Sequence, residues 1–439
     1  MFIGEWWLPG NSDNKFGGVL SVTENKKFEL MLIGDFQSEN WREDLIYGNA
    51  TKTTENKQNY FILHTNHKVQ SSYLGFSKSK YLVHKFLKTS ISKGVFQHRF
   101  LNCNLKSNNY SKIRSISNRK VKPDPDGSLS IEVGKFKTFL LLENQEKKYI
   151  FQIGLGYKAN FENITLNTIS SINIEYKEPV LFEKFDIDRK ILDCFFTIIC
   201  DNVTYSNDIK IYSEYLNEKK HKIAFDLYQK NKLLTTNHNS ANAYEVLFNL
   251  LDLKDKDYLL KFHDFYLNNE QIFGYFSDNK SNENLQIQNR FLNIVTALEI
   301  YSRSIKPDEE IRKTHSKIRN DILSKCSKNE REWLEKRLKS KIQLKLKERI
   351  LLLIQTFIPK NELGFLLGDL DNIIETRHKL VHSNIKNPDL VITDTSMLFI
   401  LTNKLEILFS IISLKESGFN KTQLLEAFNK LLNNRPYLN

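Results

Sequence analysis

Cysteine is scarce. The 439 residues hold four, at positions 103, 194, 200 and 326, and none forms a Cys-x-x-Cys pair. This excludes a disulfide scaffold and a zinc ribbon, and it fits a reducing, cytoplasmic setting. Glycine-rich phosphate loops are missing too. Neither G-x-G-x-x-G nor G-x-x-x-x-G-K-[S/T] occurs, so no ATP or nicotinamide site and no cofactor are expected. His64, His67, His84 and His98 have no acid or cysteine beside them at metal spacing, and no metal site is expected. The opening MFIGEWWLPG lacks the basic and apolar regions of a signal peptide. The most apolar late segment, Val391 to Ile412, carries Asp394, Lys404 and Glu406. It reads as a buried helix, with no membrane partner expected.

What is present is positive charge, net +12 with a pI near 9.2. A polyanion partner explains that balance; a composition rich in Lys and Asn explains it equally well. The chain is long enough for two or three domains. Residues 1–180 read as a β-rich sensing or regulatory domain. Short strands are expected on either side of a polar turn at Thr23 to Lys27, at Tyr60 to Leu63, at Tyr73 to Phe76 and at Tyr81 to Leu87. A further pair is expected at Phe136 to Leu142 and Tyr149 to Leu155, and Asp124 to Gly127 is a turn signal. Many short strands with polar turns suggest a sandwich or barrel-like layer. The adjacent Trp6 and Trp7 point to opposite faces of a strand, toward core or partner. Lys112, Arg114, Arg119, Lys120 and Lys122 form a basic stretch that either grips phosphate or is a solvated loop.

Residues 181–285 read as a mixed α/β connecting region. It has an apolar run at Ile187 to Asn202, a strand at Asp208 to Tyr215, and helical spacing at Ser240 to Asp252 and Tyr258 to Asn269. Ser277 to Glu283 reads as a linker. Residues 286–439 are nearly all helical and form an independent bundle, which makes the fold class α+β multidomain. Phe291, Ile294, Val295, Leu298 and Tyr301 form one apolar stripe, with Glu299 beside it. A helix is expected over Glu309 to Lys325. A long helix is expected from Glu330 to Phe357. Its middle holds Lys336, Arg337, Lys339, Lys341, Lys345, Lys347 and Arg349, with Glu348 as the only acid among them. This is the best nucleic-acid footprint in the chain, and a solvated helix face is its competing explanation. Asn420 to Gln423 has capping-box spacing and starts the last helix.

The stretch LGFLLGDLDNIIETRHKLVHSN, Leu363 to Asn384, organises the bundle. Leu366, Leu370, Ile373, Ile374 and Leu380 make one buried face, and Asn384, Asn387 and Pro388 signal the helix end. Arg377 and His382 stand five residues apart. On a straight helix they would be separated by about 140°, because five residues turn through about 500°. To act together, they need a helix end between them or a second chain. An imidazole can accept or donate a proton at neutral pH, and a guanidinium matches a pair of phosphoryl oxygens. That chemistry suffices for RNA cleavage without a metal: the imidazole takes the 2′-hydroxyl proton, and the guanidinium stabilises charge on the phosphoryl oxygens.

Arg377-His378-Lys379-Leu380-Val381-His382 resembles the R-x4-6-H motif of the HEPN superfamily, which ends a helix inside an all-helical bundle. The opening GEWWLPGNSDNKFGGVLSVTENKKFELMLIGDF resembles the N-terminal domain of ApeA-like anti-phage proteins, which join a β-rich domain to a C-terminal HEPN domain. The two resemblances cover most of the chain, in the family's order. They imply a metal-independent endoribonuclease in anti-phage defence that acts by abortive infection. They also imply a homodimer through the bundle, RNA as substrate and a phage-derived trigger. Arg377 and His382 would be catalytic, with Glu299 as a supporting acid. His378 stands where the family often has asparagine, and Ser383 is the small residue after the histidine. A non-catalytic RNA- or nucleotide-binding HEPN protein, and a structural or partner-binding component, are the alternatives.

Overall fold

In a computed structural model, residues 1–438 are described except for 23–26, 37–44, 55–56, 74–75, 91–98, 108, 111–112, 114–118, 124–128, 134–136, 160–163, 217–221, 230–245, 255, 283, 306–307, 338–343 and 383–386. The chain forms two compact units, Met1–Asp257 and Tyr258–Asn439.

The first unit begins with six strands: β1 (Phe2–Trp7), β2 (Phe16–Val22), β3 (Phe28–Ile33), β4 (Leu45–Lys52), β5 (Gln58–Tyr73) and β6 (Phe76–Thr89). They pair antiparallel in the order β6-β3-β2-β1-β4-β5, and β5 pairs back onto β6, which closes a six-stranded barrel. Alternation fixes the lining. Phe2 and Trp6 of β1, Leu20 of β2, Phe28, Leu30 and Leu32 of β3, Ile46 and Ala50 of β4, Phe61 and Leu63 of β5, and Tyr81, Val83 and Phe86 of β6 form one buried cluster. The Trp6 ring lies against the backbone of Gly48, where a Cβ atom would stand 2.1 Å from ring carbon Cε3. Glycine is therefore required by space there. Trp7, on the other face, is also buried, with the Lys15 ammonium 5.2 Å from its ring centroid. Both tryptophans thus take the packing role.

Strand β6 belongs to two surfaces. Its first half pairs with β3, and its last residues, Lys85 to Lys88, pair with β14 (Lys222–Gln229). From β14 the sheet continues through β13 (Ser206–Leu216), β7 (Arg99–Ser107), β12 (Ile164–Leu181), β11 (Lys147–Ala159) and β10 (Lys137–Glu143). Strands β8 (Arg119–Pro123) and β9 (Leu129–Val133) form a separate hairpin. Helix α1 (Phe182–Ile199) follows β12 directly and buries Phe185, Ile191, Leu192, Phe195, Phe196 and Ile199.

Helix α1 also brings charge inside. Lys147 and Asp188 have fully buried side chains 2.5 Å apart, and the Tyr176 hydroxyl donates to the other Asp188 oxygen at 2.9 Å. Arg189 bridges Asp186 and Asp193, while Lys85 of β6 reaches Asp186 at 3.0 Å. Burial alone would raise the Asp186 carboxyl, but Arg189 and Lys85 outweigh it and hold the group below its ordinary range.

Two expected boundaries move. The strand at 208–215 and its neighbour β14 insert between β7 and β6 of the first unit, which runs to Asp257, so the described residues of 181–257 belong to the β-rich unit. The expected linker at 277–283 is largely helical. It ends α4 (Glu270–Ser281), where Phe273, Phe276 and Asn279 are buried. Its polar residues are held by partners in the bundle: Asn279 donates to the Arg290 carbonyl at 2.8 Å, and Lys280 pairs with Glu406 at 2.5 Å. The helical spacing at 240–252 yields only α2 (Leu250–Leu253), one turn capped by Asn249; residues 240–245 lie outside the described residues.

The second unit contains α3 (Tyr258–Asn268), α4, α5 (Ile287–Ile305), α6 (Asp308–Ser324), α7 (Lys328–Arg337), α8 (Leu346–Phe357), α9 (Gly364–Leu367), α10 (Leu370–Val381), α11 (Thr395–Glu416) and α12 (Lys421–Asn433). The apolar stripe of α5 is buried, with Phe291, Ile294 and Leu298 at zero exposure. Around it pack α4, α8, α10 and α11. Helix α11 is long and apolar enough to cross a membrane by length and composition, and most of it is buried within the bundle. Asp394 caps its start by accepting from the Met397 N–H. Asn420 and Gln423 form the expected capping box at α12.

The expected long helix over 330–357 is two helices. Leu344 and Lys345 are not helical, and the Lys345 N–H is capped by Glu348 at 2.7 Å where α8 begins. A run of like charges opposes a continuous helix at this point.

Candidate functional site

The organising stretch folds as the one-turn helix α9 and then α10. Asp369 at the start of α10 meets Lys404 of α11 at 2.7 Å. Leu370, Ile373 and Ile374 are buried against the bundle. Arg377 lies on the last half of α10, partly exposed, and its Nη2 is 3.7 Å from Glu299 Oε2 of α5. The apolar face of α5 fixes Glu299, because Leu298 beside it is fully buried. The other Glu299 oxygen accepts from Arg303 Nη2 at 3.0 Å, one turn along α5. One carboxylate thus touches two guanidiniums, each through its own oxygen.

Helix α10 stops at Val381. His382 donates its backbone N–H to the His378 carbonyl at 2.7 Å, and its own backbone is extended, with φ −131° and ψ 146°. His382 is therefore the first residue off the helix, and its side chain is not bound by the 100° step that would keep it away from Arg377. It is exposed. The chain returns to α10 through Ile392, whose N–H donates to the Thr376 hydroxyl at 2.9 Å. Thr376 is buried and ties the far end of the segment carrying His382 to the turn that carries Arg377. In the sequence Thr376 reads as a polar interruption; a hydroxyl next to the motif arginine, on the edge of the apolar face, was the available signal.

The cationic residues of the expected footprint separate. Arg349 is 1% exposed, and its Nη1 lies 3.3 Å from the Ser302 hydroxyl, inside the contact between α8 and α5. It is not part of a cationic surface. The reason is register: Arg349 lies four residues before Leu353 and eight before Phe357, on the buried face of α8. Lys345 and Lys347 are exposed, and Lys347 pairs with Asp371 of α10. Lys336 and Arg337 lie at the end of α7, while Lys339 and Lys341 lie outside the described residues. Of the basic stretch in the first unit, Arg119, Lys120 and Lys122 fall on β8, and Lys112 and Arg114 lie outside the described residues. Among the described residues, no cluster of three His, Cys, Asp or Glu side chains could hold a metal ion.

Family comparison accounts for both halves of the chain. Residues 1–262 match the model of ApeA N-terminal domain 1, which spans more than half of the sequence. The chain belongs to the ApeA family. Residues 292–423 match the Apea-like HEPN domain, which contains Glu299, Arg377 and His382. No curated protein and no solved structure matches the chain. The protein thus joins an ApeA N-terminal domain to an Apea-like HEPN domain, the arrangement of an ApeA-like defence protein, and the HEPN association connects it with nucleases in general.

Proposed function

We propose that the protein is a metal-independent endoribonuclease of anti-phage defence, acting in the cytoplasm by abortive infection as a homodimer through its HEPN bundle. The observation that carries this reading is the end of α10. Arg377 stands 3.7 Å from Glu299, and His382 leaves the helix exposed five residues later.

In this scheme the His382 imidazole removes the proton from an RNA 2′-hydroxyl. The 2′-oxygen then attacks the adjacent phosphorus, and the P–O5′ bond breaks. Arg377 stabilises the charge that grows on the non-bridging oxygens. The leaving 5′-oxygen takes a proton from the imidazolium of a second copy, which gives a dimer its chemical reason. The products are a 2′,3′-cyclic phosphate and a 5′-hydroxyl, and the atoms balance without a metal or cofactor. DNA is inert by this route because it lacks the 2′-hydroxyl. Glu299 acts as a positioning residue for the guanidinium, and His378, partly exposed on the same turn as Arg377, borders the site. Lys345 and Lys347, exposed at the start of α8, would add phosphate contacts to a bound strand, as would Lys336, Arg337, Lys339 and Lys341 of the same basic run. The β-rich unit would then respond to a phage-derived trigger.

The test is RNA-end sequencing after phage challenge, with wild type beside His382→Ala. Wild type is expected to leave cyclic-phosphate ends and to be toxic. The variant should lose both by about 10²- to 10⁴-fold, the usual contribution of a positioned acid or base. Its fold should be kept, because His382 is exposed and its hydrogen bond to α10 is main-chain. Undiminished cleavage by the variant rejects the assignment.

A further inference from the structure

Arg303 is a cation beside this site that the motif does not include. It lies four residues after Glu299, on the same face of α5. Its guanidinium holds Glu299 Oε1 at 3.0 Å, while Arg377 stands at Oε2. The three groups carry two positive charges and one negative, so an excess charge sits beside the motif arginine. Side-chain exposure is 52% for Arg303, against 27% for Arg377 and 21% for Glu299, so Arg303 is the most open of the three. An exposed Arg–Glu pair at this spacing is weak and screened by salt. A guanidinium has five N–H donors in a planar fork, and contact with one carboxylate oxygen leaves the rest of the fork for another anion. A phosphate met through two parallel N–H donors makes a stronger contact than the surface pair it would rearrange.

We propose that Arg303 is a second phosphate-binding residue of the HEPN site, gripping the phosphodiester next to the one at Arg377, with Glu299 as the shared spacer that sets the two guanidiniums apart. The proposal rests on the ribonuclease reading for the identity of the strand as RNA. It goes beyond that reading by giving the site two adjacent phosphates, hence a preference for a continuous strand over a dinucleotide.

Binding can be measured without turning the enzyme on. The full-length His382→Ala protein is titrated with a short fluorescent single-stranded RNA of mixed sequence at several salt concentrations. Adding Arg303→Ala should weaken binding about ten-fold and lower the slope of log affinity against log salt by about one phosphate contact. Arg303→Lys should keep the slope and recover part of the affinity, because it keeps the charge and loses the fork. Lys430→Ala, which removes a paired charge on α12, controls for net charge and should leave both quantities unchanged. In a protein with His382 intact, Arg303→Ala should raise KM and change kcat little. Unchanged affinity and slope in Arg303→Ala would overturn the proposal and leave the ribonuclease reading standing. So would a loss in kcat with no change in KM. If the His382→Ala protein binds no RNA at all, the proposal and the ribonuclease reading both fail.

Discussion

The buried pair of Lys147 and Asp188 tests how the ApeA N-terminal domain is held together. Both side chains are at zero exposure, and the Tyr176 hydroxyl is the third member. Taking two charges out of water is expensive, and the attraction between them at short range offsets that cost only while both are present. Lys147→Met leaves the buried Asp188 carboxylate without its ammonium. Asp188→Asn removes the carboxylate that faces the buried Lys147 ammonium. Each should destabilise the β-rich unit by about 3–5 kcal/mol, the usual cost of orphaning one partner of a buried pair. The double variant carries neither charge, and the side-chain amide that replaces the Asp188 carboxylate can still accept from Tyr176. It should lie within about 2 kcal/mol of wild type, well short of the sum of the single losses.

Denaturant unfolding of the full chain reads this out. Three of the four tryptophans, Trp6, Trp7 and Trp41, belong to the first 257 residues, so tryptophan emission reports mainly on the β-rich unit. Helical circular dichroism reports mainly on the other unit, and the two probes need not coincide in a two-unit protein. Additive losses in the double variant would refute the reasoning, as would single losses below about 1 kcal/mol, the level of an exposed pair.

Two further outcomes follow from the same unit. Burial pushes the Asp186 carboxyl up, yet Arg189 and Lys85 together outweigh it and set the folded-state value below the ordinary 3.8. The unfolded chain therefore takes up the proton first as pH falls. The stabilisation is complete above the unfolded value and is lost on acidification through that value toward the lower folded one. Asp186→Asn should flatten the acid limb of a stability–pH curve measured by thermal unfolding, and an unchanged limb would count against it. Gly48→Ala puts a methyl carbon 2.1 Å from a rigid Trp6 ring carbon inside the barrel. It should cost about 1–3 kcal/mol by overpacking, and Trp6→Phe in the same chain should return part of that loss in a denaturant midpoint.

Much of the fold could be read from the sequence because periodicity reports which face is buried. The strands β10 and β11 and the turn between them lie close to where alternation puts them, with Phe139 opposite Phe151. The stripe of α5 and the cap of α12 were equally visible. Partner choice was not. Nothing in the alternation of β6 says that its edge passes from β3 to β14, since that pairing joins residues more than 130 positions apart. The Ser-, Asn- and Lys-rich letters of 277–283 looked like a linker because composition does not show that Asn279 and Lys280 find partners in Arg290 and Glu406. Of the proposed site residues, Arg377 and His382 stand out as a pair in the sequence, Glu299 enters through the family resemblance, and the spacing left a helix end or a second chain as alternatives; the helix ends at Val381. The contact of Glu299 with Arg303 obeys the four-residue spacing of a helix face, but a single Glu–Arg pair carries far less compositional signal than the basic run at 336–349.

Position, rather than abundance, decides what the positive charge of this chain can do. Lys147, Arg189 and Arg349 are all buried, and Lys85 is largely so. A charge held inside the protein cannot meet a strand in solution, so the net +12 is a poor measure of the cationic surface. Arg349 illustrates the point: it sits in the most basic stretch of the sequence yet faces Ser302, while Arg303, on a helix of ordinary composition, is exposed beside Glu299 and Arg377. A phosphate backbone meets the second kind of arginine and not the first. The number of phosphate contacts obtained from a salt titration should therefore track exposed cations, such as Arg303 and the lysines that begin α8, and not the total count of Lys and Arg.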